Sequence, residues 1–297
     1  MISDCKKKCL SEKYLYNDKK EMKDFRAQYL KEIQRIKSGF FELDKMTQGW
    51  RNGDLITIGG RPAVGKTAFG ISLLRNVAII NRMPTAFFSL ELSKEQLSDR
   101  LISSLSLVEI EKACNFRNGN ISDLSEAEIR RIEDAKRQIE ISSVYFDDTP
   151  SLLMRELYPR AAYLINSFQI KLIIIDYLQL LNSSGLFSKR SEEVAYIARK
   201  LKTMAKDLNI PIVALSQLNR GERIGDKRPI LSNFRESETI GQESDIVYLI
   251  HRPEYYGIYT DEEGNDLHGI AEIIIAKNIN GNIGKVLLKF NGEYAHF

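Results

Sequence analysis

Apolar positions recur along the chain in two rhythms. Short, nearly unbroken apolar runs lie at 55–58, 85–90, 172–176, 212–216 and 246–250, as expected of strands covered on both faces of a parallel sheet. Between them, apolar residues return at three- and four-residue steps over 68–81, 94–105, 125–141, 151–167 and 192–208, the period of amphipathic helices. The alternation predicts an α/β fold with a mostly parallel central sheet covered by helices. Two further runs, 271–276 and 285–290, flank Asn280-Gly281-Asn282, and Asn-Gly between such runs predicts a terminal hairpin. Ahead of all this, Met22, Phe25, Tyr29, Ile33 and Ile36 stand among Lys, Glu, Arg and Gln. That is a narrow apolar stripe on a helix over 18–37, ended by Ser38-Gly39. A helix outside the main domain must bury its stripe, either on its own domain or on a neighbouring subunit. Residues 1–17 carry no such period and read as a flexible basic tail. The expected organisation is a tail at 1–17, a helix at 18–37 and an α/β domain at 38–297.

Composition narrows the class. No apolar run approaches the roughly 20 residues of a membrane helix, and the Lys-rich start lacks the apolar centre of a secretory signal. A cytoplasmic protein with no membrane partner is expected. Cys5 and Cys9 form a lone C-x-x-x-C, and Cys114 stands apart. Zinc needs four ligands, so free thiols are expected. The net charge of +3 conceals an asymmetry: residues 1–37 hold 11 Lys/Arg against 6 Asp/Glu, and the rest 32 against 34. The basic end suits contact with nucleic acid or an acidic neighbour, or simply a solvated arm.

Candidate chemistry gathers at the ends of the apolar runs. Gly60-Arg61-Pro62-Ala63-Val64-Gly65-Lys66-Thr67 fits G-x-x-x-x-G-K-[ST], a P-loop, placed as that motif requires between a strand and a helix. Its glycines let backbone N–H groups wrap a polyphosphate at a helix N-terminus. Lys66 would reach the β and γ phosphates and Thr67 would bind Mg²⁺, so ATP and Mg²⁺ are the expected cofactors. The expected nucleotide contacts are Gly60, Pro62, Ala63, Val64, Gly65, Lys66, Thr67 and Ala68. Leu172-Ile173-Ile174-Ile175-Asp176 ends in a carboxylate, the pattern of a second Mg²⁺ ligand in such enzymes. Phe87-Phe88-Ser89-Leu90-Glu91 also ends in one. From position alone, Glu91 is either a general base for an attacking water or an acidic residue at the N-terminus of the helix near Ser93. Gln217, after 212–216, is either a reporter of the γ-phosphate or a solvated loop residue. The stretch 219–229 carries Arg220, Arg223, Lys227 and Arg228, a basic loop suited to phosphate backbone or to solvent.

The order of these segments resembles the C-terminal ATPase domain of the DnaB replicative helicases. The resemblance runs through 38–54, 61–69, 87–93, Asp147-Asp148-Thr149-Pro150, 175–180, 214–218, Lys227-Arg228-Pro229, Arg235-Glu236-Ser237, Glu254-Tyr255-Tyr256 and 273–277, and covers about 18–297. It implies a RecA-like P-loop NTPase fold, an N-terminal linker helix docked on the adjacent subunit, a homo-hexameric ring and single-stranded DNA as partner. It implies that Glu91 is the general base, Lys66 the phosphate-binding lysine, Gln217 the γ-phosphate sensor, and Thr67 with Asp176 the Mg²⁺ ligands. Arg235 and Glu236 match a DNA-contacting segment. A helicase loader is a further candidate partner.

Three departures qualify the resemblance. The family's N-terminal domain, associated with primase binding, is not in the sequence, which weakens the expectation of a primase contact. The family's Lys-Gln-Arg-Asn-Gly reads Lys277-Asn278-Ile279-Asn280-Gly281, so Ile279 replaces the arginine finger. Lys277 keeps one charge for the neighbour's site, and Arg252 is a candidate substitute in trans. The family's Arg-Glu-Ser-Gly reads Arg235-Glu236-Ser237-Glu238, which adds negative charge near phosphate. Three readings follow: an ATP-driven helicase motor, an ATP-binding homologue of weak or no activity that regulates or joins a helicase, and a RadA-type recombination ATPase. The third would carry a zinc motif that is not seen here.

Overall fold

Leu55–Gly60 forms strand β1, buried throughout because helices cover both faces of the sheet. The computed structural model describes residues 35–297 apart from 219–227 and 235–237. The tail and the expected linker helix therefore lie, up to residue 34, outside the described residues. Ile36 does not continue a helical stripe. It forms a two-way backbone bridge with Trp50, at 2.8 Å each way, and is only 4% exposed within the core. The physical reason is Gly39, whose positive φ of 81° turns the chain so that 36 and 50 can pair.

In chain order the elements are α1 (Phe41–Thr47), β1, α2 (Lys66–Leu74, continued by a wider turn over Arg75–Ile80), β2 (Thr85–Ser89), α3 (Lys94–Ser106), α4 (Ile110–Arg117), α5 (Glu126–Glu140), β3 (Val144–Asp147), α6 (Met154–Phe168), β4 (Leu172–Asp176), α7 (Arg190–Asp207), β5 (Ile212–Gln217), α8 (Glu238–Glu243), β6 (Ile246–His251), β7 (Ile270–Asn278) and β8 (Gly284–Lys289). The strands form one sheet in the order β3-β2-β4-β5-β1-β6-β7-β8. The first six in that order run parallel, and β7 and β8 are antiparallel. The expected α/β architecture and terminal hairpin are thus both present. Four elements had no clear period in the sequence: α1, α4, α8 and the edge strand β3, which is only half-buried.

Alternation along each strand sends side chains to two cores. Ile56, Ile58, Phe87, Ile174 and Leu215 pack with Phe69, Ile71, Leu97 and Leu101 of α2 and α3. Leu55, Phe88, Ile173, Ile175 and Ala214 pack with Leu157 of α6 and Val194, Ile197 and Leu201 of α7. Burying a Leu, Ile or Phe side chain contributes about 1.5–3 kcal/mol, so both faces lock the register. That register matters for chemistry. Gly60 lies level with Gln217 and Ile250, and Ser89 with Asp176. The carboxyl ends of β1, β2, β4, β5 and β6 therefore finish together.

Candidate active site

The P-loop leaves β1 at Gly60 and enters α2 at Gly65. Gly65 has φ 103°, a conformation that a side chain would strain. A Cβ at Gly60 would lie 2.7 Å from Val64 Cγ1 and 2.8 Å from Lys66 Cγ, so the loop closes only around glycine there. The first turn of α2 holds no acidic residue, leaving its positive end open to an anion. Lys66 is 8% exposed and its ammonium donates to the Arg61 carbonyl at 3.1 Å. Burial lowers its pKa, while Asp176 and Glu91 support the charged form.

Asp176 is fully buried at the end of β4, and neither carboxylate oxygen has a hydrogen-bond partner. Burial pushes its pKa up to about 6, reinforced by Glu91 and opposed by Thr67, Lys66 and Arg100. A buried, orphaned carboxylate is costly. Beside the Thr67 hydroxyl, its donor set suits a hard divalent cation bound through oxygen.

Glu91 sits in a turn fixed from both ends. The Leu90 amide donates to the Asp176 carbonyl at 2.7 Å. The Ser89 hydroxyl donates to the Leu92 carbonyl at 2.7 Å and accepts from the Leu92 amide at 3.1 Å. The N-terminus of α3 is satisfied without Glu91: Ser93 and Gln96 form a reciprocal cap, and the Lys94 amide donates to Asp148 at 2.9 Å. The helix-capping alternative for Glu91 is therefore taken up by other residues.

A cavity of about 400 Å³ joins these parts. Lys66, Thr67, Glu91 and Gln217 line it, with Pro62, Ala63, Gly65 and Ala68 along the loop. Gly60 and Val64 shape the loop from behind, Val64 being buried in the core. Gln217 is held by Gln179, whose amide donates to the Ser216 hydroxyl and the Gln217 carbonyl at 2.9 Å each. Gln179 also accepts from the Gln217 amide at 3.2 Å. Sequence reasoning missed Gln179, and it missed Arg100, Phe290, Gly292 and Ala295, which also line the cavity. Only the three-residue step from Leu97 to Arg100, on a helix whose apolar face is buried, hinted at an inward arginine.

The cations expected in trans lie elsewhere than foreseen. Arg252 lines its own chain's cavity, because β6 pairs directly with β1 and ends level with the P-loop. Its guanidinium lies 4.1 Å over the Phe290 ring and donates to Glu254 at 2.5 Å, so it serves this site in cis. The Lys277 ammonium donates to the Gly241 and Gln242 carbonyls at 2.9 and 2.8 Å, at the end of α8 in the same chain. Ile279 is 57% exposed. Of the expected DNA-contacting residues, Arg220, Arg223, Lys227, Arg235 and Glu236 lie outside the described residues. Arg228 is described and forms a two-point pair with buried Glu272, at 2.6 and 2.9 Å, so its charge is largely committed within the fold.

A mostly parallel sheet whose aligned strand ends present a P-loop, a buried carboxylate and a terminal amide defines a RecA-like P-loop domain. The chain belongs to the DnaB-like helicase family: the model of the DnaB-like helicase C-terminal domain matches residues 35–297. It is 41% identical over 268 residues to the replicative DNA helicase DnaC of Bacillus subtilis, covering 90% of this chain and 57% of that protein. It is 40% identical over 265 residues to a probable replicative DNA helicase of Trieres chinensis, covering 88% and 56%. The chain thus spans a little over half the length of the curated relatives it matches. A solved DnaB-like replicative helicase, described with its interactions with primase, superposes with TM-score 0.81 at 32% identity, covering 89% of this chain and 62% of that one. A solved stand-alone ATPase domain gives 0.82 at 30%, covering 94% and 97%. Among the described residues no helix is long and apolar enough to cross a membrane.

Proposed function

We propose that this chain is the ATP-hydrolysing motor of a DnaB-like helicase, acting in the cytoplasm as a homo-hexameric ring on single-stranded DNA. One observation carries the reading: Lys66, Thr67, Glu91 and Gln217 face one cavity, with the orphaned Asp176 carboxylate at its base. In this reading the amides of the P-loop and of the first turn of α2 hold the phosphates of ATP, and Lys66 draws charge from the β and γ groups. Thr67 and Asp176 hold Mg²⁺, which supplies positive charge to the phosphate oxygens when bound. Glu91 takes the proton of the attacking water, and its fixed turn keeps it pointed at the cavity. Gln217, clamped by Gln179, contacts the γ-phosphate and passes its presence to the segment after β5. The Arg252–Phe290 pair offers a flat apolar platform for the base of the nucleotide.

The expected linker helix docks on the adjacent subunit, and the basic stretch ending at Arg228, with Arg235 and Glu236, meets the DNA backbone. A helicase loader is a partner in this reading. A primase contact would depend on parts of the family's full-length proteins that this chain does not match.

A second reading, an ATP-binding homologue of low activity, is favoured by Ile279 and by the Lys277 ammonium being tied to two carbonyls of its own chain. The experiment that separates them is ATP turnover with and without single-stranded DNA, at concentrations where sedimentation shows assembly. DNA-stimulated turnover supports the motor. ATP binding with no turnover in assembled protein supports the second reading, and absence of ATP binding overturns both.

A further inference from the structure

Three cations reach the nucleotide cavity, and two are already engaged. Lys66 donates to Arg61, and Arg252 is paired with Glu254 and stacked on Phe290. Arg100 is different. It lines the same cavity, yet makes no hydrogen bond or ion pair with any described residue, and it is not among those whose further interactions involve the undescribed segments. Its orientation follows from α3. Leu97 and Leu101 anchor that helix in the core, and Ser104 reaches Arg75 and His296. Positions three and four apart share a helical face, so Arg100 points inward with them. Its neighbour Asp99 is turned away and paired with Arg117 at 2.9 Å, so the adjacent carboxylate does not neutralise it.

A half-buried guanidinium without a carboxylate, facing a cavity that also holds Glu91, is arranged for an anionic ligand. The charges agree. Lys66 and Arg100 balance Glu91 and Asp176, so a Mg²⁺-bound nucleotide triphosphate enters a neutral site; without Arg100 the site is net negative. We propose that Arg100 is a catalytic residue acting in cis: its guanidinium donates to the γ-phosphoryl oxygens and supplies the cation that Ile279 cannot provide from the neighbouring subunit. The proposal rests on the ATPase reading above. In the step concerned, the water oxygen forms a bond to the γ-phosphorus and the bond from that phosphorus to the bridging oxygen breaks. The electron pair leaves on the ADP β-phosphate, and the water's proton goes to the Glu91 carboxylate. Arg100 holds the equatorial oxygens as the transferring group passes between the two, where a fixed donor pair is worth most.

The test compares wild type with Arg100→Lys, Arg100→Gln and Arg100→Ala in assembled protein. We expect kcat to fall about 10²–10³-fold in Arg100→Gln, the scale for loss of a preorganised transition-state donor. KM for ATP and Kd for ADP should change less than about threefold. Arg100→Lys should recover less than a tenth of wild-type kcat, because an ammonium cannot present two parallel donors. Affinity for ADP with aluminium fluoride should fall with kcat, and guanidinium ion at millimolar concentration should partly restore Arg100→Ala. A merely structural arginine would lower ADP affinity and thermal stability together and would not respond to guanidinium. If wild type hydrolyses ATP and Arg100→Gln turns over at a similar rate, or if the loss lies wholly in KM, the proposal is overturned. A wild type that binds ATP without turnover overturns the ATPase reading instead.

Discussion

Asp176→Asn should stabilise the nucleotide-free protein while abolishing hydrolysis. Burial raises this carboxyl from 3.8 to about 6, roughly two units, each worth about 1.4 kcal/mol. The folded state therefore holds a proton that the unfolded state releases between those values. The sign follows from linkage: stability contributed by the protonated group is complete below about pH 3.8 and is lost as pH rises through about 6. At pH 8 the ionised group costs the empty domain about 3 kcal/mol. An uncharged amide removes that cost and returns part of it, because the buried Lys66 ammonium loses an anion that supports its charge and the amide is itself poorly hydrogen-bonded. A net gain of about 1–2 kcal/mol remains, or about 2–4 °C in Tm for each kcal/mol in a domain of this class. Thermal melts at pH 5 and pH 8, without nucleotide, measure it. The gain should be largest at pH 8 and shrink at pH 5, where wild type is itself largely protonated. Mg²⁺ with ADP should raise the Tm of wild type and much less that of the variant. A variant less stable than wild type at pH 8, or a difference that ignores pH, would refute the reasoning.

Other expectations follow from the same geometry. Glu91→Gln should bind ATP as wild type does and lose about 10²–10⁴ in turnover, since its turn is held by Ser89 and Leu92 and not by its own carboxylate; nucleotide binding with a fluorescent analogue separates this from misfolding. Ile279→Arg should raise turnover of assembled protein, by less than the 10³–10⁵ that a finger supplies where no other arginine serves, and should leave unassembled protein unchanged. Removal of residues 1–34 should shift the assembly towards smaller species in sedimentation while the Tm of the domain holds. The cut falls before Ile36 because that residue belongs to the core.

The strands that deliver the chemistry were legible because they are buried on both faces. Such strands are written as unbroken apolar runs, and each run here ends in the residue that meets the cavity: Gly60, Asp176, Gln217. The parts that escaped are those where the burial signal is weak or the contact is distant in sequence. The edge strand at 144–147 has one covered side. The helix at 41–47 is short and depends on a turn set by Gly39. Gln179 matters only because β4 lies beside β5, a neighbour relation that no periodicity encodes. Ile36 had the spacing to extend the N-terminal stripe, but its backbone pairs with Trp50, a contact across 14 residues that outweighs helical period.

Arg252 was foreseen as a cation for the neighbour because its role was read from segment order alone. Topology reverses that: a residue ending a strand beside β1 must face its own P-loop. The same logic bears on Lys277, which lies on β7, one strand further out and antiparallel, where its ammonium already satisfies two carbonyls at the end of α8. Serving an adjacent site would require it to leave both, each a charge-assisted bond worth about 1.5–3 kcal/mol, for a single exposed contact. With Ile279 uncharged, the described side chains leave the positive charge for hydrolysis with the chain that binds the nucleotide. Assembly would then set the geometry of the ring and its hold on DNA more than the chemistry of each site, and the rate per subunit should depend only weakly on whether the neighbour is present. Mixing wild type with an excess of Lys277→Ala subunits measures this directly. Turnover that falls in proportion to wild-type content minus its contacts with variant neighbours would show that Lys277 leaves its carbonyls to act across the boundary; turnover independent of the mixture would place the catalytic cations in cis.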